Sequence, residues 1–131
     1  MSKVNSVINV PCTLSGNFFN CWLTFLNPIH KLTPGVVNIA ANLLKHRYIL
    51  SKSITDDSIL DKYLLTNEEI RDQIITDCGI SLSNYHVSTG KLKKAGFLID
   101  GRINPKFIPK IPQGSDSFNL MIMFNLKDAE G

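Results

Sequence analysis

Three histidines, three cysteines and one acidic run are the residues here whose chemistry could build a reactive centre. His30, His46 and His86 lie far apart, and none sits in a metal-binding spacing such as HExxH. The cluster Asp56-Asp57 with Asp61 could hold a divalent cation, but it lacks the glycine and the closing glutamate of a calcium loop. A solvated acidic loop is the simpler reading. Cys12, Cys21 and Cys78 form neither an even disulfide framework nor a CxxC pair. They read as buried thiols of a reducing compartment, with a single pairing left open. No GxSxG, GxxxxGK[ST] or GxGxxG occurs. The expectation is therefore a non-enzymatic protein with no catalytic residue, metal, cofactor or small-molecule substrate.

A helix expected from Leu82 to about Ala95 says more. With Leu82, Tyr85, Thr89 and Leu92 turned inward, Ser83, Asn84, His86, Val87, Gly90 and Lys91 turn outward. Serine and asparagine can bond phosphates, and asparagine can read adenine with two hydrogen bonds. Between His86 and Lys110 five lysines (Lys91, Lys93, Lys94, Lys106, Lys110) and Arg102 face one acid, Asp100, a local charge of +5. Between Thr55 and Cys78 seven acids face Lys62 and Arg71, a local −5. The net +3 thus hides a polar molecule. The candidate nucleic-acid or partner contacts are Ser83, Asn84, His86, Val87, Lys91, Lys94, Arg102 and Lys106. Against this, Lys93 and Lys94 also suit the negative end of a helix dipole, and the outward face has no arginine, the residue that most often reads guanine.

Recognisable start and stop signals mark the elements that must position these residues. Ser6 to Val10 reads as a short strand stopped by Pro11. Asn17 to Leu26 is uncharged, carries Phe18, Phe19, Trp22 and Phe25 at helical spacing, and ends at Asn27-Pro28. A central core helix starts with Thr33 as cap and Pro34 in the first position and runs to about Leu50. After a polar loop and a short helix reaching Leu65, Thr66 and Glu69 form a capping box, and the helix it opens stops at Cys78-Gly79. This helix and the next, joined by the Gly79 turn, make a helix-turn-helix. Asp100-Gly101 between two short apolar runs predicts a hairpin, and Asn104-Pro105 ends its second strand. Ser117 to Leu126 reads as a strand covered on both faces. Phe18, Phe19 and Trp22, with Met121 and Met123, are candidates for the core or for a subunit interface.

The 131 residues suit one domain, and 44% apolar with 19% charged residues suits a folded chain. No apolar run reaches the ~20 residues of a membrane helix, and the start at Met1-Ser2-Lys3 has no signal-peptide pattern. The fold class expected is α+β: a winged helix-turn-helix with an extra N-terminal strand and helix (1–30), the helix-turn-helix plus wing (31–110), and a C-terminal strand and tail (111–131).

Leu32-Thr33 through the central helix, Gly79-Ile80-Ser81, Lys91 to Gly96 and Ile103 to Pro109 together resemble small winged-helix proteins of tailed bacteriophages, the crAss-like phages of gut Bacteroidales in particular. The same segments loosely resemble winged-helix plasmid replication initiators. The resemblance covers about residues 30 to 110. It implies a multi-copy virion component of the portal and tail connector ring, touching other virion subunits or copies of itself, with double-stranded DNA as a further partner. The alternative it implies is a free DNA-binding regulator of phage transcription or replication in the bacterial cytoplasm.

Overall fold

The computed structural model describes residues 10–14, 16–111 and 118. They form six α-helices and one two-stranded antiparallel sheet, an α+β arrangement dominated by helix. The expected N-terminal strand before Pro11, the C-terminal strand, and Met121 and Met123 lie outside the described residues, apart from Val10 and Phe118, which are in no strand.

The uncharged aromatic segment forms α1 (Phe18–Phe25), which turns Phe19, Trp22 and Leu23 into the core. It stops just before Asn27-Pro28. The chain turns at Leu26, and Asn27-Pro28 opens a single helical turn, α2 (Asn27–His30), where a missing N–H costs nothing. His30 at its end is a satisfied core histidine: Nδ1 accepts from Leu32 N (2.9 Å) and Nε2 donates to Leu23 O (2.6 Å).

α3 (Pro34–Leu50) is the central helix, with Val36, Val37, Ile39, Ala40, Ala41, Leu43 and Leu44 buried. Apolar residues on so much of its circumference let α1, α4, α5 and α6 all pack against it. Thr33 takes the N-cap position in extended conformation, but its hydroxyl makes no capping bond; its carbonyl accepts from Val37 N at 2.9 Å.

α4 (Asp57–Thr66) is capped by Asp56, whose carboxylate accepts from Ser58 N and Ile59 N. α5 (Glu68–Cys78) starts one residue later than the capping box predicts. Asn67 is the cap, accepting from Ile70 N at 3.0 Å, and Thr66 bonds back to Lys62 O as the last residue of α4. A tighter junction between two helices leaves no room for Thr66 to act as a cap. Gly79 at φ +64 closes α5: Ile80 N bonds Ile75 O and Gly79 N bonds Thr76 O, the paired bonds of a Schellman motif. Ser81 then caps α6 (Leu82–Lys94) through Asn84 N at 3.1 Å, and Gly96 closes it with the same bond pair.

The buried stripe of α6 is Tyr85, Ser88 and Leu92. Leu82, expected inward, is 46% exposed in the first turn, and Thr89 is only half-buried. The spacing of three and four survives; the stripe passes through Ser88, whose hydroxyl is satisfied by Asn84 Oδ1 at 3.1 Å.

β1 (Leu98–Ile99) pairs antiparallel with β2 (Arg102–Ile103), Leu98 opposite Ile103 and Ile99 opposite Arg102. Asp100 and Gly101 both take positive φ (53° and 72°), as a two-residue hairpin turn of this hand requires. Leu98 and Ile103 face the core, while Ile99 and Arg102 face out. Asn104 ends the hairpin and caps a 3-10 turn (Pro105–Phe107), bonding Gly96 O and Lys106 N through its amide. Phe107 is buried against Phe97, its ring centroid 5.6 Å away, and its carbonyl accepts from Trp22 Nε1 at 2.8 Å. The two ends of the described chain thus share one core, which Phe118 enters edge-on to Phe18 and Trp22. Among the described residues no helix is long and apolar enough to cross a membrane.

Candidate nucleic-acid interface

Helix geometry sorts the outward residues of α6 into three rows. Ser83, Val87, Gly90 and Lys94, at intervals of four, three and four, form the outermost row. His86 and Lys93 flank it on the side of the hairpin, and Asn84 and Lys91 flank it on the other side. All of these are exposed, Val87 at 58%. Ser81 and the Schellman ending at Gly96 fix the length of α6 and so the extent of the row.

The individual side chains differ in what they have left to offer. Asn84 Oδ1 already accepts from Ser88, which leaves its Nδ2 as the uncommitted donor. The His86 ring lies edge-on to Tyr85 at 5.9 Å. Lys91, Lys93 and Lys94 make no ion pair among the described residues. Lys106 lies with Nζ 5.3 Å from the centre of the Phe107 ring. Phe18 is half-buried, and Phe19 (2% exposed) and Trp22 (9%) are core residues of this chain.

Arg102 is committed. Its Nε donates to Asp61 Oδ2 at 3.2 Å, while Nε of Arg47 donates to Oδ1 of the same carboxylate at 2.8 Å. Asp61 is fully buried, so the acidic run is not a solvated loop: Asp56 caps α4, Asp57 pairs with Arg47 at 3.3 Å, and Asp61 joins α3, α4 and β2. Arg71 pairs with its neighbour Asp72. All three arginines are therefore neutralised by aspartates. A sequence signal for Asp61 exists: it adjoins Leu60 and Leu64 on the inward face of α4, where a charge needs a partner.

Between α6, the hairpin and the junction of α4 with α5 lies an open cleft of ≈ 650 Å³. Lys62, Arg71, His86, Lys93 and Arg102 line it together with Glu68 and Asp100. Its charge is mixed, and among the described residues no three His, Cys, Asp or Glu side chains are placed to hold a metal ion. Tyr85 sits at its base; burial pushes the phenol up, and the Arg71 guanidinium partly offsets this. Comparison of the chain with family models, with curated proteins and with solved structures finds no match.

Proposed function

We propose that this chain is a non-enzymatic winged-helix module, with α3, α5 and α6 as its three helices and β1–β2 as its wing, that docks α6 on the phosphate backbone of double-stranded DNA. One observation carries the reading: the arginines are spent on aspartates, whereas Lys91, Lys93 and Lys94 stand exposed and unpaired among the described residues at one end of a helix. Lysine is a point charge that suits phosphate, whereas Arg102 is held to Asp61 through its Nε. The expected binding is strongly salt-dependent and weakly sequence-dependent.

The test is duplex binding by fluorescence anisotropy over a range of salt. Replacing Lys91 and Lys94 with alanine is expected to weaken binding uniformly across sequences and to reduce the salt slope by about two. Full affinity in the double variant overturns α6 as the contact.

A second reading places the module in the portal and tail connector ring of a tailed-phage virion, in several copies. Phe25 on α1 and Ile29 on α2, 53% and 57% exposed, favour it, since they are apolar area that the core of the described residues does not use. Peptide mass spectrometry of purified particles decides: several copies per particle support this setting, and absence removes it in favour of a free regulator.

A further inference from the structure

The three cysteines left a single pairing open, and the fold ties the neighbours of Cys12 and the Cys21 sulfur to one side chain. Asn17 Oδ1 accepts from Thr13 N at 3.0 Å, and Asn17 Nδ2 reaches Pro11 O at 3.5 Å. Both neighbours of Cys12 are thus tied to Asn17. The same Nδ2 lies 3.9 Å from Cys21 Sγ, one helical turn further along. The turn is closed by Gly16 N and Phe18 N, which both bond Thr13 O at 3.1 Å. Asn17 thus holds the segment that carries Cys12 against the turn of α1 that carries Cys21, with both cysteines only half-buried.

We propose that Cys12 and Cys21 are a reversible modification site: they form an intrachain disulfide by exchange with a low-molecular-weight disulfide of the glutathione type. In the first step the Cys21 thiolate attacks one sulfur of glutathione disulfide; a protein–glutathione disulfide forms, and one glutathione thiolate leaves. Cys12 then gives up its proton and attacks Cys21 Sγ, and the second glutathione leaves as thiolate. Protons from the two protein thiols end on the two glutathiones, so two thiols and one disulfide become one disulfide and two thiols. Burial, with the Cys21 sulfur adding to it, pushes the Cys12 thiol up, which leaves less of it as thiolate for the first attack. Closure would fasten residues 10–14 to α1, next to the aromatic core formed by Phe18, Phe19 and Trp22.

Cys78 is the internal control. It lies at the end of α5, accepts from Asn42 Nδ2 at 3.4 Å, and burial with the Asp77 carboxylate pushes its thiol up. The experiment equilibrates the full chain with glutathione disulfide, blocks free thiols with N-ethylmaleimide, and maps tryptic peptides without reduction. The peptide Val4 to Lys31 contains both Cys12 and Cys21 and no internal Lys or Arg. It is expected to be lighter by two hydrogens and free of maleimide, with Cys78 alkylated. Replacing Cys12 with serine is expected to leave a stable glutathione adduct on Cys21, because nothing then resolves it. Two maleimides on the wild-type peptide, or a persistent glutathione adduct with Cys12 alkylated, overturns the proposal.

Discussion

Arg102 on β2 donates through Nε to the buried carboxylate of Asp61 on α4, 3.2 Å across and 41 residues away in the chain. With Arg47 on the other oxygen, this carboxylate ties the hairpin to the helical core. Asparagine at position 61 would leave the Arg47 guanidinium, 12% exposed, with only the exposed Asp57 as counter-charge. The variant Asp61→Asn is expected to lose about 3 kcal/mol of stability. Arg102→Ala is expected to lose only ~1 kcal/mol, since Arg102 is 44% exposed and Arg47 still covers the carboxylate. Urea denaturation of both variants checks the order, and equal losses would show that the hairpin contact matters as much as the core one.

Trp22 Nε1 donates to Phe107 O across 85 residues and joins α1 to the segment after the hairpin. Trp22→Phe keeps much of the aromatic volume but strands a buried carbonyl, which is expected to cost about 1–3 kcal/mol. Circular dichroism during urea unfolding reads the change, since the only tryptophan is gone.

The start of α5 separates two side chains that are adjacent in sequence. Asn67→Ala removes the cap bond to Ile70 N and is expected to cost about 1 kcal/mol. Thr66→Ala removes only a back-bond to Lys62 O and is expected to change stability by less than about 0.5 kcal/mol. The reverse order in thermal melts would restore Thr66 as the cap.

Gly90 lies in the outermost row of α6, and an added Cβ there meets nothing within 4 Å. Gly90→Ala is expected to stabilise the chain by about 0.5–1 kcal/mol through helix propensity alone. A rise in Tm checks this. The same variant is expected to bind duplex DNA less tightly, because the methyl group stands where the backbone would approach.

His46 on α3 has its Nε2 buried with no hydrogen-bond partner among the described residues. Burial lowers its pKa below the usual 6.5, Lys45 adds to the lowering, and Asp77 opposes it. The unfolded chain therefore takes up the proton first as pH falls through 6.5, so this residue costs stability below that pH and none above it. Relative to His46→Gln, the wild type is expected to lose stability on acidification below pH 6.5, measured by urea unfolding at constant ionic strength. Parallel curves would contradict the lowered pKa.

The sequence by itself determined the local punctuation of this protein. Pro34 at the start of α3, Gly79 and Gly96 after α5 and α6, and Asp100-Gly101 in the hairpin turn lie where the chain pattern puts them, because each answers to the backbone angles of one or two residues. Helical period also gave the outward face of α6, from Ser83 to Lys94. Tertiary structure decided everything that depends on which distant groups meet. Asp61 reads as loop acid until packing sets Arg47 and Arg102 beside it, and that pairing removes Arg102 from the free basic charge. Phe19 and Trp22 read most simply as core, with a subunit interface as second reading, and α3 and Phe107 cover them. The segments that carry Cys12 and Cys21 meet only because Asn17 bonds both. A turn is fixed by sterics within a few bonds, whereas a charge pair is fixed by the whole core that brings its two ends into contact.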